Sequence, residues 1–298
     1  MNTTAPRILS CGEILWDLFP DGPRFGGAPA NFAAQAAILG ARVSVLGAVG
    51  SDARGAEAVR ILEGFAIDTS LIQSIPDAPT GAVLVSVDAA GKPGFTIQPD
   101  AAWDRLTWSA SLEDSIERFD AVYFGTLCQR SACSRSTIRR ALDAARAHGV
   151  MRVLDVNLRA PFYDATLLHE SLGLASVLKL SDEELPAVAA ACAISPTSTT
   201  SEALAQLSHR FSLTSVAMTR GADGAILLAN GKLWEQPGIP VTVIDTVGAG
   251  DAFTAALVTG LLESIPPPAI LRRACETASA ACAHAGGIPP TSSRRGPT

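Results

Sequence analysis

The sequence predicts an α/β chain: a mostly parallel sheet covered by helices on both faces, with a small β element beside it. Three observations carry that reading. Short apolar runs bounded by turn residues recur along the chain, and longer helical segments separate them. The strand runs are continuously apolar instead of alternating, as strands buried on both faces require. One pair of strands is joined by a turn and not by a helix, so it lies apart from the parallel array.

Residues 7–12 read as a buried strand ending at Gly12. Residues 13–25 are punctuated by Trp16, Asp17 and the turn Pro20-Asp21-Gly22-Pro23. The run Gly26-Gly27-Ala28-Pro29-Ala30-Asn31 opens an alanine-rich helix that stops at Leu39-Gly40, where a glycine can take the C-cap conformation. A strand follows at 43–49 and a helix at 53–63. Residues 82–87 and 95–98 pair as a hairpin around a turn at 88–94, a flap outside the main sheet. Further strands are expected at 121–125, 152–157, 176–180 and 215–219, with helices at 136–148, 182–192 and 201–212 between them. Residues 195–201 read as a surface loop and 291–298 as a mobile tail. A β-like segment at 239–244 is expected to feed the turn 245–251, which opens a helix over 252–262. Nothing resembling a linker divides the chain, so one domain over 1–298 is expected.

Composition narrows the function. Hydrophobic residues make up 48% and charged residues 17%, enough apolar material for a buried core and too little charge for disorder. No apolar run approaches the ~20 residues of a membrane helix, and the N-terminus lacks a signal-peptide core, so a cytoplasmic protein without a membrane partner is expected. A net charge of −6 argues against nucleic acid as a partner. The six cysteines form no CxxC pair and the four histidines are scattered, so the cysteines read as small buried hydrophobes and no zinc site is expected.

The stretch Asp245-Thr246-Val247-Gly248-Ala249-Gly250-Asp251 carries the chemistry. A glycine-rich turn opening a helix leaves backbone N–H groups of Gly248, Ala249 and Gly250 facing one spot, with the positive end of the helix dipole behind them, which makes an anion site. Asp251 in the first helical turn would repel phosphate, but it suits a general base beside an anion pocket. The plainer alternative is a tight turn with Asp251 as a helix cap. A dinucleotide fingerprint lacks its third glycine, where Phe253 stands, and no Walker A sequence is present. Polar or glycine residues also fall at the expected strand ends, where open parallel sheets bind ligands: Gly12, Gly125, Asn157 with Arg159, Lys179, and Thr219 with Gly221.

The early and late glycine-rich turns together resemble the two signatures of the ribokinase-like, or PfkB, family of carbohydrate kinases, with Gly40 and Gly50 where the first signature has glycines. The resemblance spans essentially the whole chain. Within the family, Gly12-Glu13-Ile14-Leu15-Trp16-Asp17, the run from Gly26 to Asn31 and Asp155-Val156-Asn157-Leu158-Arg159 look like bacterial fructokinases. The resemblance implies a ribokinase-like three-layer sandwich with lid elements at about 13–25 and 80–104. It implies transfer of the ATP γ-phosphoryl group to a sugar primary hydroxyl, with Asp251 as base and Gly248, Ala249 and Gly250 as anion hole. Asp17, Gly27, Asn31, Gln98, Asn157 and Arg159 would contact the sugar. Lys179, Glu184, Thr219, Gly221 and Gly224 would serve the nucleotide, with Glu184 also linked to magnesium. Ser181 stands where the family's Asn-x-x-Glu motif has asparagine. Asp245 and the Val247 carbonyl would ligate potassium. A homodimer is the expected assembly. Ala28-Pro29 replaces the Lys-Gly of ribokinases, which argues against ribose. The runner-up substrate is 2-keto-3-deoxygluconate, whose carboxylate Arg159 could pair. A sugar-sensing protein on a kinase scaffold would have lost the base or the anion-hole glycines, and this chain keeps both.

Overall fold

The computed structural model describes residues 4–87 and 93–289. Its strands are, in chain order, β1 (Arg7–Cys11), β2 (Leu15–Phe19), β3 (Gly22–Gly26), β4 (Arg42–Gly50), β5 (Ile72–Ile75), β6 (Gly81–Val87), β7 (Pro93–Ile97), β8 (Ala121–Gly125), β9 (Met151–Asp155), β10 (Val177–Ser181), β11 (Ser215–Thr219), β12 (Ala225–Ala229) and β13 (Lys232–Gln236). Its helices are α1 (Ala28–Ile38), α2 (Ala53–Gly64), α3 (Ala110–Glu113), α4 (Ala132–Ala147), α5 (Ala165–Leu174), α6 (Leu185–Ala191), α7 (Thr200–Phe211), α8 (Ala249–Leu262) and α9 (Pro267–Ala281).

The large sheet has the order β13-β12-β11-β10-β9-β8-β1-β4-β5 and is parallel from β5 to β11, with β12 and β13 added antiparallel at one edge. Side chains alternate across it, so each apolar strand feeds two cores. Leu9, Val122, Phe124, Leu154 and Leu178 face a core shared with α4, α5 and α7 through Ile138, Leu172 and Leu204. Ile8, Val45, Tyr123, Val153 and Val177 face the opposite core, closed by α1, α2, α8 and α9 through Phe32, Leu62, Phe253 and Ile270. That is the three-layer sandwich expected from the continuous apolar runs. Among the described residues no helix is long and apolar enough to cross a membrane.

The second sheet has the order β3-β2-β6-β7. Segment 13–25 supplies the antiparallel pair β2–β3, the hairpin supplies β6–β7, and parallel pairing of β2 with β6 joins them. The expected hairpin turn lies largely at 88–92, outside the described residues, as does the tail 291–298. Segment 80–104 is divided: its end, with Ala102 and Trp103 fully buried, belongs to the core of the large sheet.

One expectation needs correction. Residues 239–244 form no strand; Val243 and Ile244 are exposed, and Ile244 N–H bonds to Cys282 O instead. Pro237 and Pro240 offer no N–H to a ladder, and the sheet edge is already taken by the β12–β13 hairpin. That hairpin turns at Asn230-Gly231, both with positive φ, which matches a two-residue type I′ turn.

Candidate active site

Beneath the N-terminus of α8 the parallel strands end in polar residues. The helix is capped by Gly248 in the left-handed region at φ 80°, where a Cβ would stand 2.4 Å from Gly287 Cα. Gly250 does not share that conformation; its Cβ would instead lie 3.0 Å from Lys179 Nζ. Of the three amides expected to form an anion hole, Ala249 N–H turns inward to Thr246 O at 3.3 Å. The amides of Gly248 and Gly250 have no acceptor among the described residues and remain for a ligand.

Asp251 is buried in the first turn, and Asn31 Nδ2 donates to its Oδ2 at 2.9 Å. Burial pushes the Asp251 carboxyl up to about 6, and the charge of Asp155 pushes the same way. The Asn31 hydrogen bond, Lys179 and Arg159 pull it back. A carboxylate in that range is ionised at neutral pH yet more basic than a free one, which suits a general base. Asn31 Oδ1, also buried, has no hydrogen-bond partner among the described residues.

Around this pair stand two further carboxyls. Burial raises Asp17 to about 6, opposed by Arg159 and Arg24. Burial raises Glu13 to about 7, opposed by its backbone hydrogen bond and by Arg159. Asp17 sits against Gly26, and the Glu13 carbonyl lies 2.7 Å from where a Cβ on Gly27 would be, so the first glycine turn is fitted to both. The exposed Arg159 is felt electrostatically by Glu13, Asp17 and Asp251, which places its charge among all three. Gln98 closes the end of β7 through its backbone, with N–H on Ala82 O and its carbonyl on Arg130 Nη2. Asn157, half-buried with φ 39°, follows β9.

On the other side of the helix N-terminus a cavity of about 470 Å³ is lined by Thr219, Gly221, Gly224, Ala249, Gly250 and Phe253 among others, bringing together three of the five nucleotide residues inferred from sequence. The other two stand elsewhere. Lys179 is buried in β10 with Nζ 3.0 Å from Asp155 Oδ1. Glu184 caps α6, accepting from Leu158 N–H at 2.7 Å and Ser181 N–H at 2.8 Å. Ser181 Oγ accepts in turn from Glu184 N–H, so serine at this position closes a reciprocal pair. Asp245 accepts from the N–H groups of Val247 and Gly286, tying segment 282–289 beneath the turn.

A buried acid–amide pair beside free helix N-terminal amides, with further buried carboxyls and a cavity lined by Gly250 nearby, is an arrangement that suits phosphoryl transfer. A family profile described as pfkB family carbohydrate kinase matches residues 22–294. The chain belongs to the PfkB family of carbohydrate kinases. A fructokinase of Klebsiella pneumoniae is 30% identical to this PfkB kinase over 290 residues, 90% of this chain and 91% of the relative. The crystal structure of a Vibrio cholerae O395 fructokinase with fructose, ADP and calcium superposes with a TM-score of 0.80 at 25% identity, covering 96% of each chain. An ATP-bound fructokinase from Xylella fastidiosa gives 0.83 at 25% identity, also over 96% of each.

The sequence reading of this PfkB kinase assigned no role to Glu13, Asp155 or Thr254. Thr254 Oγ1 lies 3.0 Å from Asp155 Oδ2 and 2.8 Å from Gly250 O. A signal was available: Asp155 and Lys179 are lone charges inside apolar strands, and such charges demand partners.

Proposed function

We propose that this PfkB kinase is an ATP-dependent fructokinase that phosphorylates a primary hydroxyl of the sugar. The observation that carries the reading is Asp251, buried between the free amides of Gly248 and Gly250 and the amide of Asn31. The sugar lies in the cleft of Asp17, Gly27, Asn31, Asn157 and Arg159, and ATP enters the 470 Å³ cavity past Thr219, Gly221 and Gly224. Asp251 takes the hydroxyl proton as the oxygen attacks the γ-phosphorus; the bond from that phosphorus to the β–γ bridging oxygen breaks, and ADP leaves with the electron pair while the proton stays on the carboxyl. The Gly248 and Gly250 amides and the helix dipole stabilise the charge on the transferring group. Asp17 accepts from sugar hydroxyls, since a buried carboxylate requires donors. The small sheet covers the cleft and excludes water, the competing acceptor.

Magnesium, arriving with ATP, neutralises phosphate charge; Glu184 is the carboxylate suited to it, held by two backbone amides with lone pairs left over. Potassium suits the Asp245 and Val247 oxygens, because a single carboxylate among main-chain groups favours a weakly charged hard cation. Fructose is preferred on two grounds: the Ala28-Pro29 form of the glycine turn, and the fructokinase names among relatives at 25–30% identity. The free charge of Arg159 at the cleft favours 2-keto-3-deoxygluconate as the second reading. An ADP-release assay across fructose, ribose, 2-keto-3-deoxygluconate, glucose and nucleosides tests this. The highest kcat/KM is expected on fructose; a clearly higher value on 2-keto-3-deoxygluconate would move the assignment to a sugar-acid kinase.

A further inference from the structure

Two charges lie where an apolar core would be expected. Asp155 ends β9 and Lys179 is paired to it in the adjacent β10, both on the face covered by α1 and α8. Both are buried, and their side chains meet at 3.0 Å. Taking two charges out of water is costly, and a buried pair often stabilises a fold no better than apolar residues of the same size. Its second carboxylate oxygen is not left over: Asp155 Oδ2 lies 3.0 Å from Thr254 Oγ1 on α8. Thr254 stands one helical turn after Gly250, and the same hydroxyl lies 2.8 Å from the Gly250 carbonyl. Lys179 Nζ approaches Gly250 from below, 3.0 Å from where a Cβ would be. A sheet-borne ion pair thus reaches the one turn of α8 that carries a free amide and the base.

We propose that Asp155, Lys179 and Thr254 form a positioning unit that fixes the first turn of α8 and sets the electrostatic field in which Asp251 exchanges its proton. The proposal rests on the kinase reading only for the identity of the reaction. Thr254 holds the Gly250 carbonyl, and with it the Gly250–Asp251 peptide that leads from the anion site into the base. Asp155 and Lys179 act on the base with opposite signs: the carboxylate disfavours ionised Asp251 and the ammonium favours it. The Asp155 effect is the larger of the two. The other groups facing Asp251 are Asn31 on α1, Glu13 after β1, Tyr123 on β8 and Arg159 after β9, and none of them is altered below.

The test is a carboxyl ¹³C NMR titration of Asp251 in the full chain, its signal assigned by loss in Asp251→Asn. In Asp155→Asn the midpoint should move down by about one unit, because a nearby like charge has gone. The double variant Asp155→Asn/Lys179→Met, which leaves no unpaired buried charge, should move it the same way by less, and keeps the test open where the single variant does not fold. Thr254→Val should leave the midpoint in place and lower kcat by about tenfold or more, with KM values nearly unchanged, since small misplacements of reacting groups carry losses of that order. An unmoved midpoint in the Asp155 variants, or a Thr254→Val enzyme with wild-type kcat, overturns the proposal and leaves the pair a structural ion pair. The two readings fail separately. A wild-type chain without sugar-dependent turnover sinks the kinase assignment, while the NMR midpoint still decides the network.

Discussion

Asn31 Nδ2 donates to Asp251 Oδ2 at 2.9 Å, joining residues 220 positions apart in the chain. The helix opened by the early glycine turn therefore reaches the first turn of α8. Asn31 is itself fixed from the C-terminal side: a Cβ on Gly287 would fall 2.4 Å from Asn31 Nδ2 and 2.8 Å from its Oδ1. Gly287 also touches Gly248, so one peptide braces both the amide and the helix cap.

That brace predicts a distal effect. Gly287→Ala should push Asn31 off Asp251 and lower kcat by about tenfold or more, because displacements near 1 Å are felt at this scale. The KM for ATP should hardly change, since Gly287 does not line the nucleotide cavity. Steady-state kinetics on the folded variant check it; an unchanged kcat removes Gly287 from the account.

The pH dependence follows from the raised acid. Asp251 must be ionised to accept a proton, and burial holds its pKa at about 6. Sugar kcat/KM should be flat near pH 8 and fall tenfold per unit well below pH 6. A plateau extending down to pH 4.5 would remove a base of this kind.

Stability should show the opposite face of the same shift. The folded pKa of about 6 exceeds the ordinary 3.8, so the folded state binds the proton more tightly than the unfolded chain. The contribution is fully present below about pH 4 and is lost as pH rises through 6. Asp251→Asn escapes that loss and still offers an oxygen to Asn31. At pH 8 it should be more stable than wild type by about 3 kcal/mol, a gap that closes near pH 4. Thermal melts at the two pH values decide it; an asparagine variant less stable at pH 8 contradicts the burial argument.

Lid function is tested by replacing 84–96 with a short Gly-Ser linker. Leu84 and Phe95 are exposed and Val85, though buried, belongs to neither core of the large sheet, so the body should keep its stability. The KM for sugar should rise and sugar-independent ATP hydrolysis should appear, since water gains access. Unchanged sugar kinetics would reduce the small sheet to decoration.

Much of this was legible in the chain itself. Continuous apolar strands separated by helices point to the three layers, and the 245–251 motif points to a helix opening with Asp251 in its first turn, where the structure has it. What misled was composition without context: 239–244 is rich in β-branched residues, but strand formation needs an open edge, and Pro237 and Pro240 refuse one. The Asn230-Gly231 pair, by contrast, is a direct hairpin signal in the sequence. Lys179 falls near the end of the strand expected from sequence but in the middle of β10, where side-chain alternation turns it inward onto Asp155, a pairing that needs the neighbouring strand to be seen. The contacts of Asn31 and Gly287 with the base depend on packing between distant segments, which no local pattern encodes.

Whether Asp251 is the base of a sugar kinase is decided by sugar-dependent ADP release from purified wild type and Asp251→Asn on fructose. Turnover is expected from the wild type and a loss of at least ~10²-fold in kcat from the variant, the lower end for a positioned proton acceptor, with ATP affinity preserved. A folded Asp251→Asn enzyme that keeps a tenth of the wild-type kcat would contradict it.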